Sequence, residues 1–497
     1  MSFKQKFTAD SSKMFVGSIL STLFSVARSY MIASALGPTL LGIWSIFTTL
    51  LTYNLQADFG MLEGMNKLLP YLRGKGDLEE LEKVKNSTFT ILCLVGFFVS
   101  LILFATALWF EHSGKTLLAL GLKLLPLVAA ANLFYNFFVT LMRTEKKFGL
   151  ISLAISGFSL FSFLLLLLFL HMLPSPLISV LLTFFSAYAF ITLLLILIGQ
   201  ARVKLFLSKE ILKKVLQTGF PLIVLGIGLM IYMSLDKWLV ITFLGKEQLG
   251  LYAIGITISG LLFSSTSVVS YTLFPKLSEQ FGETHDPKHM NHIVYKTMLV
   301  MSYLLSPITA LSALTIPFLL SILLPTYVKS ISLSTLFCFS TYFLVIGSIG
   351  GNTLISIGQQ KKVLYCLLLA LITNVVLNYS FLKGGFGIEG VALGTGLSYL
   401  IYGGGNSFMA LRVTSLSPSD ARAKSITILA PFLLTLSFVS LIIKTHSSIL
   451  IGNTLLNMSV LVLFSIVITF YLSRQAGIYH DTLNAVKRLS WLGERAL

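Results

Sequence analysis

Four ionisable residues interrupt long apolar runs of the sequence: Arg28, Lys123, Asp236 and Lys237. A guanidinium or an ammonium group can bind an anion, and a carboxylate can hold a cation. In hydrocarbon each charge costs ~3 kcal/mol or more unless it is paired or hydrated. Together these residues predict a polar cavity with an excess of positive charge. The alternative is that internal ion pairs only hold helices together.

Three further polar residues are candidates for the same cavity. Asp58 stands at the end of an apolar run, where it either faces the cavity or lies at an interface with no special role. Asn374 and Asn378 are four positions apart, so a helix would carry both on one face. They either line the cavity or bond to a neighbouring helix.

No motif in the sequence points to catalysis. A phosphate-binding glycine loop, a zinc-protease motif and a nucleophile elbow are all missing from the 497 residues. His285 and His289 have the spacing of metal ligands on a helix, but Pro287 between them favours a solvated loop. We therefore expect no catalytic residue, no metal and no cofactor.

The composition is that of an all-α integral membrane protein. The chain is 55% hydrophobic and 11% charged, with a mean hydropathy of +0.88, whereas soluble chains carry roughly 25% charged residues. Cys93, Cys338 and Cys366 lie in apolar runs and are predicted to be packed as small hydrophobic residues.

A helix needs about 20 apolar residues to cross a bilayer, and fourteen segments meet this requirement. Their ranges are 13–35, 40–61, 88–110, 116–142, 149–171, 174–200, 215–243, 249–274, 293–323, 331–358, 363–382, 388–411, 425–444 and 449–472.

A short motif occurs twice and divides the chain. Residues 36–46 read LGPTLLGIWSI and residues 244–254 read LGKEQLGLYAI, with five identical positions. Each copy is a turn between two apolar segments, which predicts two parallel repeats of six spans. The predicted lobes are residues 1–207 and 208–412, and residues 413–497 hold two further helices and a tail.

The distribution of charge predicts the orientation. Of the 36 Lys and Arg residues, only five follow odd-numbered spans: Lys115, Lys246, Lys329, Lys383 and Lys444. The positive-inside rule places the side with most of the basic residues, together with both termini, in the cytoplasm. The net charge of +17 is therefore an orientation signal and does not indicate a nucleic-acid partner. Residues 208–217 mix basic and apolar residues and are predicted to form an amphipathic helix that links the two lobes at the inner membrane surface, in contact with lipid. Residues 475–497 are predicted to be either a second amphipathic surface helix or a frayed terminus.

Several short motifs keep a characteristic order along the chain. They are Leu36-Gly37-Pro38, Asp58-Phe59-Gly60, Asp236-Lys237, Gly250-Leu251-Tyr252, Gln359-Gln360-Lys361-Lys362 and Gly387-Ile388-Glu389-Gly390-Val391-Ala392. This pattern resembles the fourteen-span polysaccharide flippases of the multidrug/oligosaccharidyl-lipid/polysaccharide (MOP) exporter superfamily. One departure is that Lys237 stands where the family usually has arginine, which keeps the charge but loses the two-pronged geometry.

The resemblance implies two pseudo-symmetric six-helix lobes around a central cleft, with two appended C-terminal helices. It implies the transfer of an undecaprenyl-diphosphate-linked oligosaccharide, such as an O-antigen, capsule or exopolysaccharide repeat unit, across the inner (plasma) membrane. Arg28, Lys123 and Lys237 would hold the diphosphate, and coupling ions (H+ or Na+) and other polysaccharide-assembly proteins are candidate partners. The alternatives are a multidrug or cation antiporter of the same superfamily and a membrane polymerase or ligase of lipid-linked sugars.

Overall fold

The computed structural model describes residues 3–445, and the side chains of residues 21–441 apart from 221, 222, 265–272 and 275. In this part of the chain every regular element is a helix. Thirteen of the fourteen predicted segments coincide with helices, which confirms the all-α class. The fourteenth segment, 449–472, and the tail, 475–497, lie outside the described residues.

Ten of the described helices are long and apolar enough to cross a membrane, and the total of fourteen spans stays a prediction. Their outer faces support a membrane position. On the helix from Leu78 to His112, the side chains of Phe97, Leu101 and Trp109 are 64%, 55% and 63% exposed. Large apolar side chains on an open helix face are stable against lipid but not against water.

The chain forms two compact units, and the first ends at Ser234. Its helices are α1 (Phe3–Gln56), α2 (Met61–Lys75), α3 (Leu78–His112), α4 (Thr116–Thr144), α5 (Phe148–Met172), α6 (Pro176–Gly199) and α7 (Lys209–Tyr232). Within this unit α1 packs on α5, α4 packs on α3 and α6, and α2 packs on α7. The lobe boundary predicted at 207/208 separates the two sequence repeats. It is a different division from these compact units and stays a prediction.

Both copies of the repeated motif break a helix at a glycine with positive φ. Inside α1 the backbone leaves helical geometry at Gly37, with φ 61° and ψ 174°. At Gly245, just before the second unit's second helix, φ is 87° and ψ is 179°. Only glycine adopts this backbone conformation readily. The sequence motif therefore marks an interruption of the helix in each unit.

Two elements differ from the sequence prediction. Residues between the predicted spans 40–61 and 88–110 form a further helix, α2, whose buried face includes Met61, Met65 and Leu69. Residues 208–217 are helical as predicted, yet they are the first turns of α7 rather than a separate surface helix. Ile211 and Val215 on these turns are buried in the core of the first unit.

The second unit begins at Leu235. Its helices are α8 (Leu235–Phe243), α9 (Lys246–Thr284), α10 (Asn291–Leu323), α11 (Ile331–Ser356), α12 (Gln360–Lys383), α13 (Gly387–Tyr399), α14 (Gly405–Thr414) and α15 (Pro418–Thr445). Short 3-10 helices occupy Pro287–Met290 and Pro325–Ser330, and one π-helical turn occupies Leu400–Gly404. Packing centres on α11, which contacts α9, α10, α13 and α14.

Candidate functional site

Arg28 lies on α1 in a pocket built by α5 and α6. Its guanidinium donates a hydrogen bond to the Ser162 hydroxyl. The guanidinium carbon lies 5.3 Å from the centre of the Phe158 ring and 5.0 Å from that of Phe184. Both distances are within the range of cation–π attraction. In the described part of this unit, the contacts of Arg28 are thus a hydroxyl and two ring faces, which are all uncharged.

Two serines of α1 lie on the same helix face as Arg28. The Ser21 and Ser25 hydroxyls lie 2.7 and 3.3 Å from the Ser159 hydroxyl of α5. Positions 21, 25 and 28 recur at helical spacing, so they share the face of α1 that packs on α5. Hydroxyl pairs allow two apolar helices to pack closely while the guanidinium stays hydrogen bonded.

The aromatic wall behind Arg28 is continuous. The Phe158 ring stacks on Tyr188, with centroids 4.5 Å apart and an interplanar angle of 20°. Phe184 contacts Arg28 before the break at Gly37 and Trp44 after it, where the centroid distance is 5.0 Å. The two parts of α1 therefore meet the same aromatic cluster, which fixes the place of the guanidinium.

The other predicted site residues of the first unit lie elsewhere in it. Lys123 forms an ion pair of 2.7 Å with Glu111, and its side chain is 31% exposed. Asp58 is 2% exposed, and its two oxygens accept the backbone amides of Gly60 and Leu62 at 3.0 and 2.7 Å. Such a carboxylate caps the start of α2. The structure does not bring either residue to Arg28.

In the second unit, Asp236 is at the centre of a buried polar network. Its side chain is 2% exposed and accepts the Tyr252 hydroxyl at 2.7 Å and the Lys237 backbone amide at 2.8 Å. The Tyr252 hydroxyl also lies 3.3 Å from the Thr395 hydroxyl of α13. The network thereby connects α8, α9 and α13, and the Lys237 side chain next to it is half-buried.

Asn374 and Asn378 of α12 join this network, as their shared helix face predicted. The Asn378 amide donates to Thr395 at 3.2 Å and to the Asn374 carbonyl oxygen at 3.0 Å, and Asn374 donates to Ser398 at 3.1 Å. Both asparagines are fully buried. The Asn378 carbonyl oxygen has no hydrogen-bond partner among the described residues. A buried amide oxygen of this kind can accept a hydrogen bond or ligate a cation.

Most of the residues that surround these charges are not distinguished by any pattern in the sequence. Phe158, Phe184, Ser162 and Thr395 occur in runs rich in the same residue types, so no local signal distinguishes them. Tyr252 is distinguished in the sequence, because it lies in the second copy of the repeated motif at the position where the first copy has Trp44. No group of three or more His, Cys, Asp or Glu residues gathers as a metal site within the described part of the chain.

The fold is that of known MOP superfamily transporters. A lipid II flippase, MurJ, in an inward closed conformation is 16% identical, with a TM-score of 0.65 over 94% of this chain and 99% of that chain. An outward-facing multidrug resistance MATE family transporter of the MOP superfamily is 16% identical, with a TM-score of 0.61 over 84% of this chain and 94% of that chain. A MOP superfamily transporter from Pyrococcus furiosus is 18% identical, with a TM-score of 0.58 over 86% of this chain and 94% of that chain.

These likenesses show the fold, and ten described helices that are long and apolar enough to cross a membrane support a multi-pass membrane protein. Residues 75–332 also match the family described as polysaccharide biosynthesis protein. The match covers more than half of the 497 residues, and the chain belongs to this family. No curated protein matches the chain by sequence.

Proposed function

We propose that this protein flips an undecaprenyl-diphosphate-linked oligosaccharide from the cytoplasmic to the outer leaflet of the inner (plasma) membrane. The cargo would be an O-antigen, capsule or exopolysaccharide repeat unit. Transfer would occur by alternating access through a cationic cleft. The observation that carries the proposal is Arg28, a half-buried guanidinium with uncharged neighbours in its unit, in a chain of the polysaccharide biosynthesis family.

A diphosphate needs such a group because it cannot cross hydrocarbon with its charge bare. The planar guanidinium can donate two parallel hydrogen bonds to phosphate oxygens. The Phe158 and Phe184 rings hold the guanidinium plane without competing for its charge. Lys237 is the second candidate for the diphosphate. The ion pair of Lys123 with Glu111 favours a structural role for Lys123.

The second part of the proposal is a coupling ion, H+ or Na+, at Asp236. Its support is the buried carboxylate, which accepts the Tyr252 hydroxyl on one oxygen and is connected to the asparagine pair by three hydrogen bonds, through Tyr252 and Thr395. An ion that leaves or joins such a network changes the balance between two conformations if it binds them unequally. Lipid-linked cargo and coupling ion are then the two partners of one transport cycle.

The rival function is export of drugs or cations, and the likeness to MATE transporters is the observation that favours it. A cavity for cationic drugs should be neutral or acidic, whereas Arg28 would repel such cargo. Loss of the protein would then change drug susceptibility and leave surface polysaccharide unchanged.

Arg28→Ala should reduce surface polysaccharide by about 10²-fold, the effect of losing ~3 kcal/mol of charged hydrogen bonding. Arg28→Lys should restore part of it, because an ammonium keeps the charge but not the fork. The measurement is polysaccharide on cells whose only copy is the variant, normalised to membrane-inserted protein. Arg143→Ala is the matched control, because Arg143 is exposed at the end of α4. Export by Arg28→Ala at the level of the control would refute the role of Arg28.

A further inference from the structure

A cavity of about 540 Å³ lies in the second unit, and no residue of the Asp236 network lines it. Three separate segments form its wall: the turn from α8 into α9, the 3-10 helix Pro325–Ser330 and the first turn of α13. The lining residues with distinctive chemistry are Phe243, Gln248, Lys329, Gly387 and Glu389. The volume is within the range of roughly 300–1,000 Å³ that is typical of small-molecule sites.

The wall combines an apolar ring with groups that donate and accept hydrogen bonds. Phe243 is 46% exposed, so much of its side chain remains open for contact. Gln248 both donates and accepts, Glu389 only accepts and Lys329 only donates. A pyranose ring has the matching surface, because its hydroxyls both donate and accept while its C–H groups pack on an aromatic face.

The backbone at the start of α13 adds donors. The first amides of a helix have no partner inside it, and Gly387, Ile388 and Glu389 of this first turn all line the cavity. Gly387 has a φ of 60°, and a side chain there would extend to within 3.6 Å of the Glu389 carboxylate. At this distance the side chain would be in ordinary van der Waals contact, so the glycine serves the turn into α13, and the Glu389 side chain is exposed and available to a ligand.

Three of the five lysines predicted to lie on the outer side of the membrane are near this cavity. Lys329 lines it, Lys246 is two positions before Gln248, and Lys383 is four positions before Gly387. The Lys383 ammonium lies 5.7 Å from the Tyr379 ring centre, and this ring is 5.9 Å from that of Phe243. Basic residues are scarce on the outer side of membrane proteins. Three of them around one cavity therefore indicate that these lysines have a function at the cavity. Glu389 and Glu247 offset most of their charge, which suits a sugar better than a diphosphate.

We propose that this cavity binds one sugar unit of the exported oligosaccharide on the outer side of the membrane. The inference rests on the proposed function and adds a second contact to it, separate from the one that holds the diphosphate. A sugar bound there would hold the head of the cargo outside while the diphosphate leaves the cleft.

The test measures sugar binding to the purified full-length protein in lipid nanodiscs by saturation-transfer NMR. The probes are galactose, N-acetylglucosamine and glucuronate without any lipid or diphosphate. We expect saturable binding of at least one probe with a Kd of ~1 mM, weakened about tenfold by Glu389→Gln and by Gln248→Ala. Glu283→Gln, which makes the same charge change at an exposed residue at the other end of α9 that does not line the cavity, should bind like the wild type.

The outcomes separate this inference from the proposed function. Binding of none of the probes, or equal binding by all variants, overturns the cavity assignment even if export depends on Arg28. If Glu389→Gln loses binding while Arg28→Ala still exports normally, the cavity assignment stands and the role of Arg28 in export is refuted. Equal thermal midpoints of the variants and the wild type would show that the substitutions leave the fold intact.

Discussion

At the scale of single residues, Arg28, Lys123 and Asp236 each contact a group on a neighbouring helix. The sequence shows that all three interrupt apolar runs. The asparagine pair follows from helical spacing, and the structure places both asparagines in the network that contains Asp236. The pairing of Lys123 with Glu111 joins two helices across a turn, and only the folded chain sets that distance. The same holds for the rings around Arg28.

If Na+ is the coupling ion, it should stabilise the folded protein through Asp236. A ligand at 100 times its Kd raises the free energy of unfolding by about 2.7 kcal/mol. We therefore expect the thermal midpoint of the wild type to rise when Na+ replaces K+ at constant ionic strength. Asp236→Asn, which keeps the shape of the side chain but removes its charge, should lose this response.

Asp420→Asn is the control for this measurement, because Asp420 pairs with Lys424 on α15 of the same unit and is 32% exposed. It should keep the full response. If the ion is H+, replacing K+ with Na+ will leave the thermal midpoint unchanged. The midpoint should then depend less on pH in Asp236→Asn than in Asp420→Asn. A wild type that responds to neither ion, or an Asp236→Asn variant that responds like the control, would contradict the coupling site.

At the scale of elements, the contact between α2 and α7 shows how small residues permit close packing. A Cβ on Gly219 would overlap the Gly60 carbonyl, and one on Gly64 would overlap the Val215 carbonyl. Lys214 on the same turns of α7 pairs with Glu80 of α3. Backbones that approach this closely tolerate only glycine. The predicted spans do not include α2, because its basic residues interrupt the apolar run and its apolar face is apparent only at helical spacing.

Two glycines on α2 offer a matched test of this packing. Gly64→Ala should lower the free energy of unfolding by ~1–3 kcal/mol, because the backbone of α7 must move to accept a methyl group. Gly74→Ala meets nothing within 4 Å and should be neutral or stabilising by up to ~1 kcal/mol. Thermal midpoints of the purified variants would measure both. Equal midpoints for the two variants would show that α2 does not pack on α7 in this way.

At the scale of the whole molecule, the orientation in the membrane is predicted from the distribution of charge. The basic residues at helix ends also stabilise the fold. The Arg73 guanidinium donates to the Thr144 carbonyl at 2.5 Å, and the Lys147 ammonium donates to the Gly199 carbonyl at 2.9 Å. Both carbonyls end a helix, where a positive charge is favourable. The positive-inside bias and the capping of helix ends therefore involve some of the same residues, and the sequence alone revealed only the first role.

The predicted orientation can be tested at two pairs of exposed lysines. Lys115 and Lys146 stand at opposite ends of α4, and Lys361 and Lys383 at opposite ends of α12. These helices of 29 and 24 residues are ~43 and ~36 Å long, so each is long enough to cross the bilayer. Single cysteines at 115 and 383 should react with an impermeant thiol reagent in intact cells, whereas those at 146 and 361 should not.

The background for this labelling replaces Cys93, Cys338 and Cys366, the last two of which are buried. All four positions should react after the membrane is permeabilised, because all four lysines are exposed. Reaction at 146 and 361 but not at 115 and 383 in intact cells would invert the orientation and place the sugar cavity in the cytoplasm. Reaction at both ends of one helix would contradict the assignment of that helix as a span. The labelling thus tests the charge argument and the sidedness of the sugar cavity together.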